Sequence, residues 1–201
     1  MRTVTIMRAG IVLGSGLLAL LLVALGTVYF LDRPNEEAYA VALDLFKKKS
    51  FLIKNKRYIA VVDYTKPSFV RRLCVYSTEN DTVEKHLVSH AKKSGYVYAS
   101  DFSNEISSEK SSKGFFLTGA VYQGKHGPSL RLKGLEKGTN DNALVRGIVI
   151  HGAEYVSWES ILANRGKLGR SLGCPAVSIE STDEVIDKLK GGSLVYVHTE
   201  K

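Results

Sequence analysis

Two side chains in the C-terminal third of the sequence are of the types that catalyse acyl transfer. His151 closes the apolar run 147–150, and Cys174 lies in a later glycine-rich turn, directly before Pro175. A cysteine is nucleophilic as its thiolate, and a neutral imidazole nearby can take the thiol proton and return it to a leaving amine. The pair predicts a thiol acyl-transfer enzyme. A histidine at a strand end and a lone cysteine are also frequent structural residues, so residue type alone does not decide between a catalytic and a structural role.

The residues around Cys174 predict how its thiol is activated. Proline favours the first position of a helical turn, so Pro175 predicts that Cys174 caps such a turn near the positive end of a dipole. Gly169 and Gly173 permit a sharp backbone path. The N–H groups of Gly173 and Cys174 are the expected oxyanion donors.

The N-terminus predicts export. Ala9–Leu31 is uncharged and long enough to span a bilayer as a helix, and Arg2 and Arg8 favour a cytoplasmic N-terminus. A cleaved signal peptide is the alternative. The apolar run exceeds the usual apolar core of about 7–15 residues in a signal peptide, which favours an uncleaved anchor in the inner membrane. Either way the domain is expected in the periplasm or cell envelope.

The remaining sequence predicts one mainly β domain with a few helices, an α+β fold. Residues 1–31 form the anchor or signal peptide, 32–57 a helical linker segment, and 58–201 the catalytic domain. Helices are expected at Pro34–Lys49, after a Ser157 cap, and at Thr182–Lys190 behind a capping box of Ser181 and Glu184. From Tyr58 onward the spacing of hydrophobic residues changes towards every second position, which is typical of strands. Strands are predicted at 58–64, 69–76, 83–89, 115–122, 129–132, 146–151 and 194–198.

Composition narrows the choice of partners and cofactors. The net charge is +8, yet no nucleic-acid motif accompanies it, and a basic surface also suits an anionic polymer such as cell wall. The five histidines show neither HxH nor HExxH spacing, so neither a metal nor another cofactor is expected. Cys74 falls within a predicted strand and is expected to be a packing residue.

His151-Gly152 and Ser171-Leu172-Gly173-Cys174-Pro175 together resemble the L,D-transpeptidase catalytic domain of the YkuD type, in which a histidine precedes a cysteine in an S-x-G-C turn. The branch with Pro-Ala after the cysteine is the most similar. The resemblance extends from about Tyr58 to Ser178, through Val62–Tyr64, Lys66–Ser68, Leu87–His90, Phe102–Asn104, Lys110–Gly114, Gly124–Gly127, Ser129–Leu132 and Asn140–Ala143.

This resemblance implies a β-sandwich domain that performs cysteine acyl transfer on peptidoglycan. Cys174 would attack the carbonyl at the L-centre of diaminopimelate in a tetrapeptide stem, release D-alanine and form a thioester, which an amine acceptor resolves. His151 would be the base, oriented by a carbonyl near Gly152. Ser171 and Gly173 would be turn and oxyanion residues, and carbapenems would acylate Cys174.

The substrate-binding residues are less well defined. Many members of this family carry a histidine and an arginine at the positions that Leu172 and Ala176 occupy here. Whatever binds the substrate carboxylate therefore comes from elsewhere, and the candidates by chemistry are Arg131, Arg146, Arg170 and His126.

Other enzyme classes fit the sequence less well. Papain-like peptidases place the cysteine before the histidine, and sortases have a T-L-x-T-C motif that this chain lacks. Serine-based penicillin-binding enzymes combine an S-x-x-K motif with a K-T-G element far downstream. This chain has two S-x-x-K matches, but neither is followed by a K-T-G element at the required distance. Two alternatives remain open: an L,D-carboxypeptidase or endopeptidase that uses water as acceptor, and a catalytically silent, membrane-anchored wall-binding protein.

Overall fold

The computed structural model describes residues 18–200. Within them, the helical stretch Leu18–Lys48, interrupted at residues 32–35, has the length and composition of a membrane span, a test that a signal sequence also passes. Residues 9–17 of the predicted anchor, together with Arg2 and Arg8, lie outside the described residues. The chain divides after Arg33 into two compact units, and every strand belongs to the second.

The described residues of the second unit form nine strands and three α-helices, which confirms the mainly β prediction. The strands are β1 (Tyr58–Asp63), β2 (Leu73–Ser77), β3 (Val83–His86), β4 (Val88–Ser89), β5 (Gly114–Gly124), β6 (Gly127–Gly134), β7 (Val149–Gly152), β8 (Ala176–Val177) and β9 (Leu194–His198). With α1 denoting the helical residues 18–31, the others are α2 (Glu36–Lys48), α3 (Trp158–Ala163) and α4 (Ile179–Leu189).

All nine strands join one mixed sheet in the order β3-β2-β1-β9-β5-β6-β7-β8-β4. Strands β3 and β4 lie at opposite ends of that order, yet Leu87 alone separates them in the chain. One residue spans less than about 4 Å, so the two edges of the sheet must lie together. The sheet therefore curls back on itself, and its two halves face each other as in a sandwich.

The side chains of β1 alternate between two buried layers, as a strand covered on both faces requires. Ala60 and Val62 belong to the main core, which α4 covers. Ile59 and Val61 belong to a second core cluster with Cys74, which α2 covers through Ala38 and Ala42. The predicted packing role of Cys74 is confirmed, since its side chain is buried.

Two predicted helix starts are wrong. Helix α2 begins after Asn35, whose side chain accepts the N–H of Ala38, so Pro34 precedes the cap. Helix α4 begins at Ile179 with Ser178 as its cap, ahead of the predicted capping box. The predicted Ser157 cap of α3 is confirmed, because its hydroxyl oxygen accepts the N–H of Ser160.

The predicted helical turn after Pro175 is also wrong. Residues Ala176–Val177 form β8 instead, which pairs in parallel with β7 and antiparallel with β4. Main-chain hydrogen bonds to two neighbours satisfy backbone groups that a short helical turn would leave without partners. Cys174 therefore precedes a strand, not a helix.

Candidate active site

Three adjacent strands bring His151 and Cys174 to one cavity. His151 pairs with Ser129 of β6 on one side and with Ala176 of β8 on the other. Because β7 and β8 are parallel, Cys174, two residues before Ala176, lies beside Val149, two residues before His151. The cavity, of about 390 Å³, is lined by both predicted catalytic residues.

The imidazole of His151 is held in the orientation that a general base requires. Its Nδ1 lies 2.8 Å from the carbonyl oxygen of Gly152. A carbonyl can only accept a hydrogen bond, so Nδ1 carries the hydrogen and Nε2 of the neutral ring keeps its lone pair. Burial lowers the pKa of His151 from its ordinary 6.5, the Gly152 carbonyl opposes that shift, and nearby His126 adds to it. His151 is therefore neutral at pH 7.

The surroundings of Cys174 favour the protonated form of its thiol. Burial raises the pKa of Cys174, while the backbone of Val149 and the charge of Arg146 partly lower it. The sulfur also lies 3.5 Å from the carbonyl oxygen of Gly147, to which the thiol donates. The predicted help from a helix dipole is absent because a strand follows. A neutral thiol beside a neutral imidazole is the resting state that these shifts favour.

Ser171 closes the turn that carries Cys174. Its hydroxyl donates to the carbonyl oxygen of Cys174 at 2.6 Å and accepts the N–H of Gly173 at 3.2 Å. Gly173 has φ +148°, and a Cβ there would lie 2.9 Å from Cδ1 of Ile148, so the position requires glycine. Within residues 18–200 the N–H of Cys174 has no acceptor, which leaves it for a developing oxyanion.

A family model described as the L,D-transpeptidase catalytic domain matches residues 32–198. The chain belongs to this family. No curated protein matches it.

Solved structures with weak similarity include two L,D-transpeptidases and a cell shape determining protein. An L,D-transpeptidase from Mycobacterium smegmatis is 15% identical, with a TM-score of 0.43 over 71% of this chain and 59% of that chain. The helical cell shape determining protein Pgp2 from Campylobacter jejuni is 15% identical, with a TM-score of 0.48 over 74% of this chain and 49% of that chain. An L,D-transpeptidase solved in complex with imipenem is 15% identical, with a TM-score of 0.43 over 71% and 59% of the two chains. This chain thus spans 49–59% of their length.

Gly152 of this L,D-transpeptidase domain has two roles. Its carbonyl orients His151, and its lack of a side chain permits close packing. A Cβ at Gly152 would lie 2.3 Å from Oγ1 of Thr182 and 3.1 Å from Cδ1 of Ile179. Both residues belong to α4. The absence of a side chain lets α4 approach β7 closely and so fixes the strand end that carries the base.

The four predicted substrate-binding residues fall into two groups. Arg170 and His126 line the active-site cavity, whereas Arg131 and Arg146 are not among its lining residues. The guanidinium of Arg146 is held by the loop before β5, where it donates to Ser103 O, Ser108 Oγ, Lys110 O and Ser112 Oγ. It anchors that loop behind the Cys174 turn, and its charge reaches the thiol from there.

Two cations of the cavity were not among the predicted substrate-binding residues. Lys92 and Lys125 line it together with Arg170, while no carboxylate of residues 18–200 does. Neither ammonium has an ion-pair partner among the described residues. Both lysines lie in connections between predicted strands, and only the folded sheet shows that these connections border the cavity. Tyr155 also lines it, and burial raises the pKa of Tyr155 to about 12, so its hydroxyl stays protonated.

Proposed function

We propose that this domain is a cysteine acyltransferase that acts on the stem peptides of peptidoglycan. The observation that carries the proposal is the cavity shared by His151 and Cys174, in which Nε2 of the imidazole is left as the base. Membership of the L,D-transpeptidase family supports peptidoglycan modification in general.

In the proposed reaction Nε2 of His151 takes the thiol proton as the sulfur of Cys174 attacks the carbonyl carbon at the L-centre of diaminopimelate. The N–H of Cys174 faces the developing oxyanion. The tetrahedral intermediate collapses, the imidazolium returns the proton to the departing amine of D-alanine, and a thioester remains. An amine of a second stem then attacks the thioester, gives its proton to His151, and restores the thiol when the new amide is released.

The charge of the cavity agrees with an anionic substrate. Lys92, Lys125 and Arg170 line it without a carboxylate. Stem peptides carry free carboxylates, which bind ammonium and guanidinium groups through charge-assisted hydrogen bonds. These cations replace the polar turn residues that Leu172 and Ala176 do not supply.

Intact-mass measurement tests the proposal. The full-length protein in detergent is incubated with a carbapenem, and separately with a tetrapeptide-stem muropeptide. An adduct is expected in the wild type and in Cys74→Ala, the matched control that removes the buried thiol, and no adduct in Cys174→Ala. The absence of an adduct on the wild type, or an unchanged adduct on Cys174→Ala, refutes the catalytic assignment.

The products of the same incubation identify the acceptor. Cross-linked dimers indicate transfer to an amine, whereas tripeptide stems alone indicate transfer to water and an L,D-carboxypeptidase. Retention of muropeptides without either product indicates a silent wall-binding protein.

We also propose that the domain is exported and held at the inner membrane by residues 9–31. The apolar helical stretch Leu18–Lys48 supports this proposal. Retention in the membrane after carbonate extraction is expected, with Met1 or Arg2 still at the N-terminus. Release into the soluble fraction, with a new N-terminus after Gly26 or Ala40, indicates a cleaved signal peptide instead.

A further inference from the structure

A second cavity lies next to the active-site cavity, on the same face of the sheet. Ser129, Arg131 and Lys133 alternate along β6 and therefore point to one face, the face to which the paired His151 of β7 also points. Ser129 lines the active-site cavity, whereas Arg131 and Lys133 line the second one. At about 3.3 Å per residue, Ser129 and Lys133 lie about 13 Å apart along the strand.

A cation–π contact links a lining residue of one cavity to a lining residue of the other. The guanidinium carbon of Arg131 lies 4.3 Å from the ring centroid of Tyr122, which pairs with Ser129 across the hairpin. Tyr122 lines the active-site cavity and Arg131 lines its neighbour. A ligand that fills both cavities would lie across this pair.

The second cavity combines an apolar floor with a cationic rim. Its volume is about 500 Å³, and Leu52, Leu117, Ala120 and Leu144 supply its apolar lining. Its charged lining consists of Lys54, Arg131 and Lys133, without a carboxylate. Neither Lys54 nor Lys133 has an ion-pair partner among the described residues. A ligand with carboxylates beside small apolar groups matches this lining.

Backbone contacts fix the shape of this cavity. The N–H of Lys54 donates to the carbonyl oxygen of Gly192 at 3.1 Å. Gly191 and Gly192, at φ +85° and +95°, form the tight turn between α4 and β9 and bring no side chains into the space. The irregularity of β5 between Thr118 and Val121 opens the opposite wall. The cavity is therefore built into the fold.

We propose that this second cavity binds the acceptor stem peptide, with Lys54 and Lys133 on its carboxylates and the leucines against its alanine methyl groups. The proposal rests on the transferase function proposed above, because a transfer reaction needs a second stem close to the thioester. The common face of the sheet and the distance of about 13 Å along β6 put an occupant of this cavity on the side of the sheet to which His151 points.

The test uses the full-length double variant Lys54→Gln/Lys133→Gln and a control, Lys47→Gln/Lys137→Gln, that removes the same charge from exposed lysines that do not line this cavity. We expect the apparent KM for an acceptor tetrapeptide muropeptide to rise about threefold to tenfold in the test variant only, the range for loss of exposed ion pairs. The rate of Cys174 acylation by a carbapenem should match the wild type in both variants, and their thermal unfolding should coincide.

An acceptor KM that is unchanged in Lys54→Gln/Lys133→Gln overturns the proposal. So does a rate of Cys174 acylation that falls in this variant together with the transfer rate. If that variant transfers normally but no longer binds phosphatidylglycerol vesicles, the cavity binds anionic lipid and the proposal is overturned. A wild type that fails to acylate contradicts the proposed function alone. In that case calorimetric binding of the muropeptide still tests the cavity, since the double variant must bind it more weakly than the control.

Discussion

The imidazole of His126 stacks on that of His151, with ring centroids 4.8 Å apart and ring planes inclined by 22°. His126 lies in the turn between β5 and β6, and its ring covers the base from the side of the hairpin. Burial lowers the pKa of His151, and His126 lowers it further because a positive charge on one ring disfavours a second one on its neighbour. The stack therefore favours the neutral form of His151.

Replacement of His126 should move the acid limb of the pH profile. In the wild type the pKa of His151 lies below 6.5, so the acylation rate should fall only below that pH. His126→Asn exposes His151 and removes the repelling group, so the pKa of His151 and the midpoint of the limb should rise. The measurement is kcat/KM for acylation by a carbapenem against pH. His198→Asn, outside the cavity, is the control, and an unchanged or lower midpoint in His126→Asn contradicts the role of the stack.

Ser171→Ala should slow acylation far more than it destabilises the fold. Two hydrogen bonds that shape the Cys174 turn are lost, at about 1 kcal/mol each. Misplacement of the nucleophile and oxyanion donor should lower the acylation rate about tenfold to a hundredfold. Ser178→Ala, which removes the cap of α4 at a cost of about 1 kcal/mol, is the control for stability. Equal rates in the two variants would show that the turn does not depend on Ser171.

Arg146 should influence the thiol through its charge as well as anchor the loop. Arg146→Gln and Arg146→Lys both lose most of the loop contacts, and each should lower the free energy of unfolding by about 1–3 kcal/mol. Arg146→Gln also removes the charge that lowers the pKa of Cys174, so its iodoacetamide reaction should need a higher pH. Arg146→Lys should keep the wild-type midpoint. Identical shifts in both variants would assign the effect to the loop.

Gly152→Ala should destabilise the domain through α4. The added methyl group overlaps Oγ1 of Thr182, and overpacking of this kind costs about 1–3 kcal/mol. Thr182→Ala removes the overlapping atom, so the double variant should recover part of the stability. Chemical denaturation of the four proteins gives the coupling energy. Strict additivity of the two substitutions would place the strain elsewhere.

The sequence predicted those helices and hairpins whose caps and turns are encoded within a few consecutive residues. The Ser157 cap and the hairpin of β2 and β3 are examples, since each rests on a short stretch of chain. The start of α4 was predicted three residues too late, because Ser181 is a capping residue type like Ser178, three positions before it. The structure selects Ser178, the residue that directly follows β8.

Features that depend on distant partners were not accessible from the sequence. Pro175 is a helix-start signal by itself, but pairing of the next residues with β7 and β4 overrides it. Arg146 is a plausible carboxylate ligand by type, yet its hydrogen-bond partners lie 34–43 positions earlier in the chain. Lys92 and Lys125 carried no signal, since only the assembled sheet brings their loops to the cavity.

Helix α2 has a chemical consequence for Cys174, because it covers the other cysteine of the chain. Both thiols are free, and α2 packs over Cys74 and leaves it buried, while Cys174 remains partly exposed. In an oxidising compartment, two accessible thiols in one small domain invite an internal disulfide. With Cys74 covered, an internal disulfide is disfavoured, and oxidation of Cys174 leads to a sulfenic acid or a mixed disulfide with an external thiol, both reversible by a reductant, or onward to irreversible sulfinic and sulfonic acids. By burying Cys74, α2 thus removes the internal thiol that could capture Cys174 in an intramolecular disulfide.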